Sequence, residues 1–267
     1  MDSTSKFIFV NRSHWSSDAL PGGYFYTSRL LFLMLWTAST LQCYYRDRSF
    51  SYMDYIFKEC SGKLTYVGLF DEFYTDEPDP WGQSGRTRIM YKGSRKRQVE
   101  IISAFSFNKN SVGLDVGSGL GITTDLFSTT MIFHGCDISG VAVDKAQKLF
   151  PSIHFYVLDI RTPPPDALKG IYSVLVLNQL LWYVIDDFPN VLRNARSLLN
   201  KNGSIILSNF LFGRDNQKFA LEHFQGQSEI SKYLEDSCGS NGLFLESYEC
   251  KRIDDVYYDF HAVIKLK

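Results

Sequence analysis

The sequence has no surplus of charge of either sign. Its 28 lysines and arginines are balanced by 29 aspartates and glutamates, which leaves a formal net charge of -1 over 267 residues. Such a chain presents no overall cationic field, so the partner is read as a small molecule, with no nucleic acid and no membrane surface. A C-x-x-C pair is also missing. The five cysteines, Cys43, Cys60, Cys136, Cys238 and Cys250, are odd in number and scattered, which excludes a disulfide framework and suits reduced thiols in a cytoplasmic protein. The histidines, His14, His134, His154, His223 and His261, lie on separate segments, so no clustered metal ligands are expected. Nor is there an apolar run of bilayer length in the stretch 30–41, which falls short of about 20 residues and contains Thr37, Ser39 and Thr40. That stretch reads as a buried or amphipathic helix. The residues before it are polar and aromatic rather than a short basic start, so no export signal is read there.

What is present describes a packed α/β protein. Hydrophobic residues make up 45% and charged residues 21% of the chain, the balance of a domain with a sizeable core. From Val112 onward, short runs rich in Val, Ile, Leu and Phe alternate with longer helical patterns. Strands are expected at 112–116, 131–136, 153–158, 172–177 and 204–208, the alternation of a parallel sheet covered on both faces. Ser139 is placed to cap a helix ending near Leu149 before Pro151, a second helix is expected over 186–199, and a third over 217–236. The runs 243–250 and 257–265 are separated by only a few polar residues, too few for a crossover, so they are expected to pair as an antiparallel hairpin. The fold class is therefore a Rossmann-like three-layer α/β/α sandwich with a mostly parallel sheet and an antiparallel ending.

The densest signal is Leu114-Asp115-Val116-Gly117-Ser118-Gly119-Leu120-Gly121, which closes the first of these strands and opens a helix. Glycines there permit a sharp turn and let a ligand lie against bare backbone, while a helix start supplies free N–H donors. A dinucleotide fingerprint beginning at Gly117 would require a small residue where Ile122 stands. The pattern instead resembles motif I of class I S-adenosylmethionine-dependent methyltransferases. This resemblance extends over about 53–267 and implies a seven-stranded sheet whose last strand inserts antiparallel. It also implies a cofactor loop formed by Gly117, Ser118, Gly119 and Gly121 and organised by Asp115.

Further positions follow in the family's order. Asp137, with Ile138, ends the second strand where two carboxylate oxygens can take both ribose hydroxyls, although an Asp there is also a helix-entry residue. Asp159, with Ile160, ends the third strand at the family's adenine position, or else serves the turn before Pro163. Asn178 and Gln179 end the fourth strand and resemble motif IV, without the N-P-P-Y or D-P-P-Y sequence of enzymes that methylate DNA bases. The segment Asp79-Pro80-Trp81-Gly82 and the helix behind it are similar to nodulation-type and amino-sugar methyltransferases. There Trp81 either roofs the cofactor or packs the first helix on the sheet, and Arg95 is the member of the basic run 86–97 placed for the cofactor carboxylate; the rest of that run reads as a solvated helix face.

The expected organisation is an extension over 1–52, cap helices over 53–110 and a cofactor-binding core over 111–267. The expected activity is methyl transfer from S-adenosylmethionine to a small acceptor, an amino-sugar nitrogen ahead of a sugar or natural-product oxygen. Tyr183, His223 and His261 are the weak candidates for a catalytic base. A nicotinamide-dependent oxidoreductase and a non-catalytic relative of the fold are the alternatives, the first opposed by Ile122 and the closing hairpin.

Overall fold

Seven strands form one sheet in the order β5-β4-β3-β6-β7-β9-β8 in this computed structural model, which describes residues 55–60, 63–83 and 89–267. The proposed extension 1–52, the apolar stretch 30–41, and Arg86 and Arg88 lie outside the described residues. The chain first makes a small antiparallel hairpin, β1 (Phe57–Cys60) and β2 (Lys63–Tyr66), then helices α1 (Phe70–Asp76) and α2 (Ile89–Ala104). Strands β3 (Val112–Val116), β4 (Ile132–Asp137), β5 (Phe155–Val157), β6 (Tyr172–Asn178) and β7 (Leu199–Phe212) follow. Helices α3 (Ile122–Phe127), α4 (Gly140–Leu149), α5 (Leu181–Val184) and α6 (Phe188–Leu198) alternate with them. The chain closes with α7 (Ile230–Gly239), β8 (Leu243–Arg252) and β9 (Tyr257–Leu266).

The parallel strands are apolar on both faces because both faces are covered. Along β6, Leu175 and Leu177 join the core built with Phe188, Leu192 and Leu234. Val174 and Val176 point the other way, into a second core with Ile102, Phe127 and Phe133. The period of two along a strand thus feeds two layers from one run. Ser139 caps α4 by accepting the Ala142 N–H, as its placement foretells. The expected hairpin also forms, with β9 lying between β7 and β8 and antiparallel to both. Its outer strand β8 is an edge whose residues after Leu245 are almost all exposed.

One expected element is much shorter. Of the helix expected over 217–236, only the part from Ile230 forms. Ala220 and Gly226 take positive φ angles of 60° and 72°, which no right-handed helix accommodates. The Gln217 side chain instead organises the loop, donating to the Phe219 and Phe224 carbonyls and accepting from the Gly226 N–H. Among the described residues no helix is long and apolar enough to cross a membrane.

Gly113 on β3 lies opposite Phe133 on β4, and a Cβ there would come within 2.5 Å of the Phe133 ring. Gly113→Ala is expected to lower stability by about 1–3 kcal/mol through overpacking. The check is denaturant unfolding of Gly113→Ala with and without Phe133→Leu: the double variant should recover part of the loss, and strictly additive losses would contradict a steric origin.

Candidate active site

The C-terminal ends of β3, β4, β5 and β6 open onto one cavity of about 160 Å³. Its floor begins with the glycine loop. Gly117, Gly119 and Gly121 all adopt left-handed backbone, with φ of 76°, 55° and 76°, the region where side chains other than glycine are strained. Only Gly117 lines the cavity. A Cβ on Gly119 would lie 2.5 Å from Tyr74 Oη, and one on Gly121 would lie 2.6 Å from the Phe155 ring. Those two glycines therefore admit close packing from α1 and β5.

The loop's N–H groups, expected free, are engaged by the protein. The Gly117 and Ser118 N–H groups donate to the Cys136 carbonyl, at 2.8 and 2.9 Å. The Gly119 N–H donates to Asp137 Oδ2 at 2.9 Å, and the Leu120 N–H donates to Gln83 Oε1 at 3.3 Å. The end of β4 holds the loop because the Cys136 carbonyl and the Asp137 carboxyl group stand beside it, a proximity that adjacent parallel strands impose. Asp115 is buried behind the loop, where its Oδ2 accepts from Thr124 of α3 at 2.7 Å. It ties strand to helix and does not line the cavity; Ser118, also buried, does not either.

Asp137 does line the cavity. Its Oδ1 accepts the Ser139 N–H at 2.9 Å, so each carboxylate oxygen carries one backbone donor and retains a lone-pair site. Burial pushes its pKa up, opposed by the Ser139 and Gly119 hydrogen bonds. Ile138, Asp159 and Ile160 continue the wall. Asp159 is gripped by Arg161, whose Nε lies 2.9 Å from Oδ1 and whose guanidinium also donates to Oδ2 at 2.8 Å. Burial works to raise the Asp159 pKa, yet the Arg161 bonds and charge hold it below the ordinary carboxylate value.

Aromatic rings roof the cavity. Trp81, Phe70, Tyr66 and Tyr183 all line it, with the Trp81 and Tyr183 ring centres 5.5 Å apart. Trp81 also packs on α1, edge-on to Phe73 and donating from Nε1 to Tyr74 Oη at 2.9 Å, so roofing and packing coincide. The cap is fastened to α4 at both ends of α1. Asp71 Oδ1 accepts from Ser139 Oγ at 2.6 Å and from the Val141 N–H at 3.2 Å, while Lys145 Nζ donates to the carbonyls of Tyr74 and Glu77. An anion at the start of α4 and a cation at the end of α1 suit both helix dipoles.

Sequence reasoning missed Gln83, Asp71, Lys145, Arg161 and Gln98. For Gln98 a signal existed: Tyr91, Ser94, Arg95 and Gln98 all line the cavity from α2, at the i, i+3, i+4, i+7 spacing of one helix face. Arg95 donates to the Gln83 carbonyl at 3.2 Å, and burial lowers its pKa. Asn178 and Gln179 line the cavity from the end of β6. Gln179 has a positive φ of 55°, a strained backbone of the kind held at functional sites.

Two of the three candidate bases stand elsewhere. His223 pairs with Asp186 at 2.8 Å outside the cavity. With Glu222 these residues bring ligand-type atoms within 4.8 Å of one another at the surface, a proximity hidden by their separation in sequence. His261 is buried in β9. Tyr183 alone of the three lines the cavity.

Residues 114–205 match a family model described as a methyltransferase domain. Over 154 residues, 52% of the chain, the sequence is 27% identical to highly reducing polyketide synthase sor1 of Hypocrea jecorina (strain QM6a), of whose length it covers 6%. The fold is similar to N-methyltransferase NodS from Bradyrhizobium japonicum WM9 in complex with S-adenosylhomocysteine (TM-score 0.55, 15% identity, 73% of this chain and 98% of that chain). It is also similar to magnesium protoporphyrin IX methyltransferase from Synechocystis PCC 6803 with bound S-adenosylhomocysteine (TM-score 0.53, 16% identity, 74% and 96%). A third is geranyl diphosphate C-methyltransferase from Streptomyces coelicolor A3(2) (TM-score 0.51, 11% identity, 64% and 79%). The chain thus shares the fold of these methyltransferases, and residues 114–205 match a methyltransferase domain.

Burial raises the Asp115 pKa to about 7, aided by the Asp137 charge and opposed by Thr124 and Arg95. Its unfolded value is near 4, so the folded state holds this proton more tightly and stability falls as pH rises from about 4 to 7. Asp115→Asn keeps an acceptor for Thr124 and does not titrate. Its melting temperature relative to the native chain is expected to be higher at pH 8 than at pH 4. An equal difference at both pH values would contradict the buried titration.

Proposed function

We propose that this chain transfers a methyl group from S-adenosylmethionine to a small metabolite, with an amine nitrogen, as in an amino sugar, favoured over a hydroxyl. The observation that carries the reading is Asp137: a buried carboxylate at the end of β4, clamped by the Gly119 and Ser139 N–H groups, whose remaining lone pairs face the cavity beside Gly117. Two vicinal hydroxyls of a ribose complete that acceptor set. The residues fit the adenosine end of the cofactor between β4 and β5, where Ile138 and Ile160 supply apolar wall and the Asp159–Arg161 pair supplies polar atoms. Ile122 favours this cofactor over a dinucleotide, because its side chain packs under the cap against Tyr74, Leu120 and Ala142 and fills the place a dinucleotide turn keeps small.

S-adenosylmethionine supplies a methyl group on a positively charged sulfur, which leaves as a neutral thioether. The chain contributes position and environment. Arg95, which lines the cavity from α2, would offer a cation to the carboxylate of the methionine end. Trp81 and Tyr183 exclude water and offer π faces to a cation. Holding nucleophile and methyl in line in such a pocket accounts for much of the rate of a displacement.

The amine preference rests on what lines the cavity. Among the described residues no histidine does, Asp159 is held by Arg161 and Asp137 by backbone donors. A neutral amine attacks without a base, whereas an aliphatic hydroxyl needs one.

Titration calorimetry is expected to show binding of S-adenosylhomocysteine and none of NADH; the reverse would return the oxidoreductase reading. Asp137→Ala is expected to weaken S-adenosylhomocysteine at least about tenfold, the loss of roughly one charge-assisted hydrogen bond. It should also lower stability by about 1–3 kcal/mol, since the Gly119 and Ser139 N–H groups lose their acceptor. Native affinity in the folded variant would overturn the ribose role.

A further inference from the structure

A row of polar side chains crosses the sheet beneath α2. Asn178 on β6 is paired in register with Ser208 on β7, which is paired with His261 on β9, so all three share one face. Asp259 lies two residues before His261 on the same strand and hence on the same face. Gln98 of α2 reaches down to this row. Its Nε2 lies 2.7 Å from Ser208 Oγ and 2.9 Å from Asn178 Oδ1. Ser208 Oγ lies 2.7 Å from His261 Nδ1, and His261 Nε2 lies 3.1 Å from Asp259 Oδ2, in a bent approach. Gln98, Ser208 and His261 are all buried.

The proton positions follow from the Asp259 end. A carboxylate only accepts, so the His261 nitrogen facing it carries the proton, and in a neutral imidazole Nδ1 is then an acceptor. Nδ1 therefore takes the single Ser208 hydroxyl proton. The Ser208 oxygen, having given its proton, accepts from Gln98, whose amide nitrogen donates its other proton to Asn178 Oδ1. The Asn178 oxygen is thereby fixed, and its N–H2 group is the end left for the cavity, with no partner among the described residues. Beside it, Gln179 Oε1 accepts the Phe210 N–H at 2.9 Å, which leaves the buried Gln179 Nε2 unpartnered. Gln179 Nε2 is closed off from the cavity, so of these two neighbours Asn178 is the one that presents an amide donor to it.

We propose that Asp259, His261, Ser208 and Gln98 are positioning residues that set the direction of the Asn178 amide, so that its N–H2 group forms a donor subsite for a carbonyl or carboxylate oxygen of the methyl acceptor. The inference rests on the cofactor reading above for its placement beside the methyl group. The subsite selects an acceptor that carries such an oxygen near its nucleophile and disfavours an ammonium at that point.

Two measurements test it. Two-bond proton–nitrogen correlation spectra of histidine-labelled native protein report the His261 tautomer without any ligand. The Nε2–H form is expected, and the Nδ1–H form or an imidazolium would overturn the chain. The second is calorimetry with S-adenosylhomocysteine and with sinefungin, which carries an amine in place of the methylated sulfur. Native protein is expected to bind sinefungin more weakly, because its ammonium meets the Asn178 N–H2 group. Ser208→Ala changes no charge and releases Gln98 and Asn178 to reverse, so the affinity ratio should shift toward sinefungin by about fivefold, the scale of one hydrogen bond. Ser208→Thr, which keeps the hydroxyl, should restore the native ratio. An unchanged ratio in folded Ser208→Ala would overturn the proposal. Failure of native protein to bind either compound would sink the cofactor reading instead, and the tautomer would still decide the chain.

Discussion

A carboxyl group buried at the end of a strand has to be held by donors on more than one side, and Asp137 is in that position. Backbone N–H groups of Gly119 and Ser139 converge on it from the glycine loop and from the entry to α4. The contact is local in space but joins three elements. It fixes the loop against β4, sets the start of α4, and leaves oxygens toward the cavity. The cap then uses the same junction, since Asp71 of α1 bonds the Ser139 hydroxyl that also caps α4. Loop, strand end and roof are therefore one mechanical unit.

The sheet interior shows a second constraint. Strands covered on both faces normally carry apolar side chains, because an unpaired polar group there costs several hydrogen bonds' worth of solvation. The row from Asn178 to His261 departs from this, and it is tolerated because each member gives or accepts a bond from the next. It lies where α2 crosses the sheet, so the helix that provides Arg95 and Gln98 to the cavity is also the one that covers the polar row. Arg97 extends the attachment by pairing with Glu249, the residue opposite His261 on β8.

Much of the fold was legible because periodicity reports burial. Strand β3 was expected at the residues where it forms, and the cap of α4 and the closing hairpin followed from Ser139 and from a connection too short for a helix. The failure over 217–229 has a local cause: the apolar residues there serve a loop held by the Gln217 side chain, and composition alone does not distinguish that from a helix face. At the site, strand-end residues such as Asp137, Asp159 and Asn178 were legible because topology brings strand ends together. Gln83, Arg161 and Lys145 were not, since their roles depend on how a loop or cap folds back. The glycines were read as room for a ligand, whereas two of the three make room for Tyr74 and Phe155.

Among the described residues the outer strand β8 leaves a row of unpaired backbone groups along one border of the sheet, a template on which another chain can add a strand. Its sequence opposes that use. Glu246, Glu249, Lys251 and Arg252 put both signs of charge along the border, and the pairing with β9 is irregular between Leu245 and Ser247. A second copy approaching parallel and in register meets like charges, and the irregular border disfavours straight pairing in either direction. The opposite border, β5, is only three residues long. The two described borders of the sheet thus limit strand addition by different means, one by charge and irregularity and the other by shortness.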